Sequence, residues 1–482
     1  MLPACVLSWP FYGLTSIIAL YWYFTRNFNY FKKRGIIGPR PVPVLGNLWD
    51  VIFVSNPELE VQRFKKYGKI YGVFEGQKPI LRIGEPAIVK EIIVKEFNTF
   101  QTRRDTSNAK HPIVDLIVTL RGDEWRRMRS TGSPTTSVQL RTMYPLVSQS
   151  ANEFVNALAK RVTPDGDNTL DMKAWFECYA MDVLAVCIFG AKTGAYTDPN
   201  DPFVVNARKI FRPPGWKIVA TLVVPTFLLD MFNIKTETDD TATNFFYKIT
   251  LKLLREKEER SRADNPGQKM LSENELISQL FASMNGGFEA ASSIMAFCAH
   301  ELALHQDLQE RLYREVLALP PLDAAGEPDY EPILKLPYLD AVVAETMRLH
   351  SPALRPSRIA TKDFRLTDTD ITVEKGLMVE ISAYGMHRSD EFFPRAEQFI
   401  PDRFLPENRS QVVPYSYTPY GGGPRGCIGQ RFSQMVMKMA IAYLVRRFQF
   451  RLCGKTQVPV PLRKYIRFTS ADAAYLALDP RP

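Results

Sequence analysis

The sequence predicts a mainly helical α+β chain: one large body carrying small β-sheets behind an N-terminal transmembrane helix. Three observations support that class. Leu2 to Phe24 contains no charged residue, and a run of about 20 apolar residues is what a helix needs to cross a bilayer core. Helical periodicity dominates the middle of the chain, where Ile277, Leu280, Met284, Phe288, Ala291, Met295 and Cys298 recur at three- and four-residue spacing. Strand-like alternation is confined to "YGVFEG" and "ILRIG" early and to the stretch after Pro356 late. A few strands, then helices, then a small sheet is an α+β order.

Taken in order, residues 1–26 are expected to form the membrane anchor. Trp9, Phe11 and Tyr12 at one end and Tyr21, Trp22, Tyr23 and Phe24 at the other are placed like interfacial anchors. Arg26, Lys32, Lys33 and Arg34 follow, which orients the rest of the chain to the cytosol. A cleaved signal peptide is the alternative, disfavoured by the lack of a basic start and of a small-residue cleavage site. Residues 27–47 form a basic, proline-rich hinge, since "GPRPVPVLGN" can be neither helix nor central strand. Residues 48–482 show no further linker or repeat and form one domain. Within it, Ser272 and Glu275 make a capping box that starts the long central helix. Phe211 to Phe232 is apolar but interrupted by Pro225 and Asp230, so it is either a core helix pair or a loop dipping into the bilayer.

At 482 residues and 45% apolar composition, the chain can bury a large core. Its net charge of +9 is scattered rather than clustered, which argues against nucleic acid and for an acidic protein partner or an anionic membrane surface. The six cysteines show no CxxC spacing, as in a chain folded in a reducing compartment.

One cysteine has unusual neighbours. "YGGGPRGCIG" packs five glycines between Gly421 and Gly429 around Arg425 and Cys427. The pattern contains GxGxxG, yet no strand leads into it, Pro424 interrupts it and no acidic residue follows about 20 positions later, so a dinucleotide site is excluded. What remains is a thiolate approached by bare backbone at the start of the amphipathic run "QRFSQMVMKMAIAYLVRRF", where the helix dipole favours S⁻. With one cysteine and no histidine base nearby, the metal centre it suits is haem iron.

This loop resembles the haem-thiolate loop of the cytochrome P-450 family, FxxGxRxCxG, with Tyr420 replacing the usual phenylalanine and Gly429 closing it. "KKYGKIYGVFEGQKP", "FQTRR" and "LPYLDAVVAETMRL" extend the resemblance along the chain, closest to the microsomal clade of drug and steroid monooxygenases and thromboxane synthase. The resemblance implies the cytochrome P-450 fold and haem b with Cys427 as its axial thiolate. Trp125 and Arg129, one helical turn apart, can hold a propionate, and the family adds Arg103, Arg358 and Arg425. A bare ExxR is an ion pair worth under about 1 kcal/mol; here Glu345, Arg348 and Arg403 resemble the family's buried network, which clamps the segment bearing the thiolate loop. Electrons would come from NADPH through NADPH-cytochrome P-450 reductase, with cytochrome b5 a further partner, at the endoplasmic reticulum membrane and in contact with membrane lipid. Arg126, Arg127, Lys438, Arg446 and Arg447 are the candidate docking cations.

The segment Gly286-Gly287-Phe288-Glu289 resembles the family's oxygen-binding helix. Two glycines in mid-helix cost about 1 kcal/mol each relative to alanine, which suits a bend, a ligand approach or a close helix crossing. Where the family carries a threonine for proton delivery, this chain has Ala290, followed by Ala291. Ser293, one turn on, and the acid Glu289 are the groups left for that task. Phe288, Ala290, Ala353 and Leu354 are the candidate contacts to a lipophilic substrate. The reading is a monooxygenase inserting one oxygen atom from O2. The alternatives on the same haem are an NADPH-independent peroxide isomerase or dehydratase, or a catalytically impaired haem-binding protein. A second departure is the short connection before Ser272, where the clade usually has another helix.

Overall fold

In this computed structural model the described residues are 4–104, 116–131, 137–163, 166–198, 200–212, 216–217, 220, 224, 226–232, 239–264, 272–319, 331–463 and 468–481. The principal helices are α1 (Ala4–Thr25), α2 (Asn56–Tyr67), α3 (Gly122–Thr131), α4 (Ser137–Ala159), α5 (Met172–Leu184), α6 (Pro202–Phe211), α7 (Asp240–Asp264), α8 (Glu273–Leu304), α9 (Gln306–Leu317), α10 (Pro337–Leu349) and α11 (Gln430–Arg447). The strands are β1 (Ile70–Glu75), β2 (Lys78–Ile83), β3 (Thr169–Asp171), β4 (Ser357–Ile359), β5 (Phe364–Arg365), β6 (Thr372–Val373), β7 (Met378–Ile381), β8 (Phe448–Arg451) and β9 (Tyr475–Pro480). The expected order of early strands, central helices and late strands is observed.

Helix starts follow from local chemistry. Ser272 Oγ accepts from Glu275 N (3.3 Å) while Glu275 Oε2 accepts from Ser272 N (3.0 Å), completing the expected capping box of α8. Asp171 caps α5 by accepting from Lys173 N at 3.1 Å, and Asp201 caps α6 through Phe203 N at 2.9 Å. The main sheet runs β1-β2-β7-β4, with β2 and β7 parallel and the other pairs antiparallel. A second sheet, β3-β9-β8, ties the C-terminal strand to the start of α5.

Charge is buried inside the main sheet. Arg82 lies between Glu60 Oε2 (2.5 Å) and Glu380 Oε2 (2.8 Å), with Arg355 also on Glu60 at 3.1 Å. Burial alone would raise the Glu60 pKa; Arg82 and then Arg355 outweigh it and hold the carboxyl at about 2.

The long helix α8 crosses α5 and passes unbroken through Gly286 and Gly287. A Cβ on Gly287 would meet Leu184 Cδ2 at 2.9 Å, whereas one on Gly286 would meet nothing within 4 Å. Of the readings open for this pair, a close helix crossing therefore explains Gly287.

Helix α1 forms where the anchor was expected, and Leu14, Ile17, Ile18, Leu20 and Trp22 are exposed on it. Among the described residues no helix is long and apolar enough to cross a membrane, and the side chains before Tyr12 lie outside the described set. Of the Phe211–Phe232 stretch, Phe211 ends α6, while Trp216, Met231 and Phe232 are exposed. The short connection before Ser272 lies outside the described residues.

Candidate active site

The cysteine loop is held against the segment Glu91–Lys95. Gly423 adopts φ +64°, and a Cβ there would lie 1.9 Å from Ile93 O. The glycine run thus lets the loop pack onto Ile93, a reason the sequence did not reveal. Cys427 N donates to Tyr420 O at 3.0 Å, and Tyr420 Oη bonds Ser433 Oγ at 3.0 Å, so the aromatic that replaces phenylalanine also anchors the first turn of α11. Cys427 is exposed at the loop surface. Although its surface is open to solvent, the protein packed around the sulfur partly desolvates it and pushes the thiol pKa up, opposed by the Gly429 N–H and by Arg103 and Arg129. Helix α11 begins at Gln430, where the amphipathic run predicts it, three residues after Cys427.

Four arginines gather beside this sulfur. Arg129 Nη1 donates to Gly426 O at 3.0 Å, and Arg103 donates to Arg425 O. Arg425 donates to Ile117 O (3.1 Å) and Leu120 O (2.6 Å), with its guanidinium 4.2 Å from the ring centroid of buried Trp125. Arg358 donates to Ser357 O at 2.8 Å. Among the described residues none of the four pairs with a carboxylate. Burial first, then mutual repulsion, depresses Arg358 and Arg425 to about 9, and the Nε of each is buried with no hydrogen-bond partner. An anion among them would relieve both costs, and a group carrying two carboxylates fits the donor set.

Glu345 and Arg348 form a fully buried bidentate pair, Nη2 to Oε1 at 2.7 Å and Nε to Oε2 at 2.8 Å, with Arg403 Nε 3.4 Å from Glu345 Oε1. The three predicted members are brought together. Arg348 also donates to His387 O (2.6 Å), Ala396 O (2.7 Å) and Gln398 O (3.0 Å). His387, which sequence reasoning missed, carries this clamp onward: its Nε2 accepts from Thr418 N at 2.9 Å, and Thr418 O accepts from Gly421 N at 2.9 Å. Burial, then the Arg348 charge, lowers the His387 pKa to about 3.

On α8, Glu289 does not stand alone. Its Oε1 lies 3.1 Å from Lys173 Nζ and accepts from Ser293 Oγ (3.2 Å) and from Ser470 Oγ; its Oε2 accepts from Arg463 Nη1 at 3.2 Å. Lys173 and Arg463 each also lie 3.1 Å from Glu177, which Arg208 Nε reaches at 2.6 Å. Burial opposes ionisation of Glu177, but Lys173, Arg208 and Arg463 together bring it to about 2. Glu289, the acid expected on this helix, shares its carboxylate oxygens among two cations and two hydroxyls. Ala290 and Ala353 keep some exposure, whereas Phe288 is fully buried against Phe211 (ring centroids 5.6 Å) and Leu354 is 1% exposed.

Lys438 is a second correction. It is buried, 2.6 Å from Asp340 Oδ1 and donating to Leu334 O at 3.1 Å, so it is structural and unavailable for docking. Arg126 is exposed, and Arg127 pairs with Glu275.

A thiol in a glycine loop, clamped from behind by a buried glutamate–arginine pair and flanked by arginines awaiting carboxylates, defines a haem-thiolate protein. A family model for cytochrome P450 matches residues 37–475, and the chain belongs to that family. Its relatives include cytochrome P450 3A28 of Bos taurus, 34% identical over 473 residues (93% of this chain, 91% of the relative). Human cytochrome P450 3A7 is 34% identical over 469 residues (93% and 92%), and mouse cytochrome P450 3A11 is 33% identical over 474 residues (93% and 92%). The protein is therefore a haem-thiolate monooxygenase of the microsomal drug-metabolising clade, using haem b and NADPH-derived electrons.

Proposed function

We propose that this enzyme works at the endoplasmic reticulum membrane, with residues 1–26 as a single-pass anchor, 27–47 as hinge and 48–482 as a cytosolic catalytic domain. It inserts one oxygen atom from O2 into a lipophilic small molecule, with electrons delivered by NADPH-cytochrome P-450 reductase and cytochrome b5 as a second donor. When bound, haem b supplies oxygen activation and atom transfer. Cys427 Sγ would hold the iron, Arg103, Arg129, Arg358 and Arg425 would hold the propionates, and Trp125 would support Arg425. The observation that carries this reading is a set of four guanidiniums with no carboxylate partner among the described residues, gathered around the glycine-rich loop of Cys427.

Proton handling on the α8 side falls to Ser293 and Glu289. Ser293 Oγ–H and Ser470 Oγ–H both point their hydrogen bonds at Glu289 Oε1, so a proton entering from the Arg463 and Ser470 segment meets this oxygen first. The exposed Trp216, Met231 and Phe232 would rest in the lipid headgroup layer beside the anchor.

One observation favours the second reading, NADPH-independent rearrangement of a lipid peroxide: Ala290 offers no hydroxyl where the family uses one. Reconstitution with haem and reductase separates the two. NADPH-dependent product, and a ferrous–CO Soret band near 450 nm that is lost in Cys427→Ser, is the expected result; turnover of a hydroperoxide alone would select the isomerase. In the first case Ala290→Thr raises the fraction of NADPH coupled to product.

A further inference from the structure

Three of the five histidines in the chain, His300, His305 and His350, line one cavity of about 670 Å³ between the end of α8, the start of α9, the end of α10 and the segment around Phe399. The cavity includes neither Cys427 and its arginines nor Ala290, and its size lies within the range of small-molecule sites.

The ring polarities are fixed by their partners. His300 Nε2 faces Gln457 O at 3.0 Å, His305 Nδ1 faces Glu301 O at 2.9 Å and His350 Nε2 faces Glu301 Oε1 at 2.8 Å. Carbonyl and carboxylate oxygens only accept, so each of these nitrogens carries the hydrogen. The second nitrogen of each ring has no hydrogen bond among the described residues, and in a neutral imidazole it is an acceptor. Burial lowers the pKa of His300 and of His350, which keeps both neutral at pH 7.

Two further features narrow the ligand. Asp307 is an exposed carboxylate at the same cavity and forms no ion pair among the described residues. The wall formed by Leu304, Leu308, Phe399, Ile400, Val458 and Val460 is apolar. No three-residue group of metal-ligand geometry exists among the described residues, which argues against a cation bound as bare metal. Ring acceptors, the Asp307 carboxylate, Glu301 facing only imidazoles and an apolar wall, with the Gln398 amide as the one side-chain donor besides the rings, together suit a cationic donor with a hydrocarbon tail.

We propose that this cavity is a second binding site, separate from the haem, that takes a primary alkylammonium: the N–H groups donate to the free imidazole nitrogens, the charge offsets Asp307 and the chain lies on the apolar wall.

The test uses holoenzyme labelled at histidine with ¹³C and ¹⁵N, reduced and carbon monoxide-bound so that the amine cannot ligate iron, titrated with n-octylammonium. The Cε1–H resonances of His300, His305 and His350 should move along one saturating curve while that of His387 stays. His305→Phe, which keeps the ring packed on Phe399, assigns one of the three. Asp307→Asn should weaken binding about tenfold. Octyltrimethylammonium, with the same charge and a similar tail but no N–H, should also bind about tenfold more weakly. The proposal is overturned if the three resonances show no saturable shift, if the trimethyl analogue binds as well, or if Asp307→Asn changes nothing.

Discussion

Buried charge holds both sides of the candidate haem site, and the two sides are assembled differently. Behind the cysteine loop, Glu345 and Arg348 stand one turn apart on α10 and saturate one another, with the spare guanidinium hydrogens spent on three backbone carbonyls. On the α8 side, Lys173 and Glu177 from α5, Arg208 from α6, Glu289 from α8 and Arg463 from the C-terminal segment share their bonds, and several reach more than one partner. The first arrangement behaves as a rivet, in which every bond depends on one side chain. The second is a web, in which removing one member leaves others to compensate.

That difference can be broken at its strongest point first. Arg348→Leu removes the bidentate partner of buried Glu345, leaving it only Arg403 Nε at 3.4 Å and the Ile400 N–H, and frees the carbonyls of His387, Ala396 and Gln398; we expect a loss of about 3–5 kcal/mol in urea unfolding and failure to retain haem. Arg463→Met leaves Glu289 with Lys173 and Glu177 with Lys173 and Arg208, so the expected loss is smaller, about 2 kcal/mol, with haem retained. Equal losses for the two variants would erase the distinction between rivet and web.

Acid titration sharpens the same contrast by a smaller effect. His387 has a folded pKa of about 3 against an ordinary 6.5, so between those values the unfolded chain holds the extra proton. Its contribution is full above pH 6.5 and declines as pH falls, by about 2 kcal/mol at pH 5. Glu177 and Glu60, at about 2 folded against 4.5, contribute fully above pH 4.5 and lose that contribution only below it. Unfolding free energy should therefore fall in two stages, with the rivet side yielding first. His387→Gln, whose amide oxygen can still accept from Thr418 N, should make the stage between pH 6.5 and 5 shallower, the remainder coming from His300 and His350, and leave the lower stage unchanged.

The rivet was legible because its members lie close in sequence or in family motifs: Glu345 and Arg348 at i, i+3, and Cys427 among its glycines. The capping box, β1, β2 and the strands after Pro356 were legible for the same local reason, whereas the β3-β9-β8 sheet was not. The web was not, because Ser293, Ser470, Arg463 and Lys173 meet only through tertiary packing. One signal was present, Lys173 and Glu177 one turn apart on the largely apolar run "MKAWFECYAMDVL", a charged pair on a face that has to be buried. His387 carried no local pattern at all; its place is set by Arg348 and Thr418. Gly287 was ambiguous because a helix crossing and a ligand approach both demand a missing Cβ.

The cations on the cysteine side show how far such reading can mislead, and they give the smallest expected effect. Lys438 sits in "QMVMKMAIAYLV", apolar on both sides, and the structure buries it on Asp340, whereas Arg126 reaches solvent with Asp123 at 3.0 Å. An exposed rim charge steers an acidic partner through a field that salt screens within about 10 Å at 0.1 M, so Arg126→Glu should raise the KM for reductase about threefold at low ionic strength and leave unfolding unchanged, the effect vanishing in high salt. Lys438→Met removes the partner of Asp340 instead: it should lower stability by about 1–2 kcal/mol at every salt concentration and leave the salt dependence of KM as it was. If Lys438→Met altered that salt dependence, the lysine would be acting at the surface, and the burial that separates the two cations would have no functional meaning.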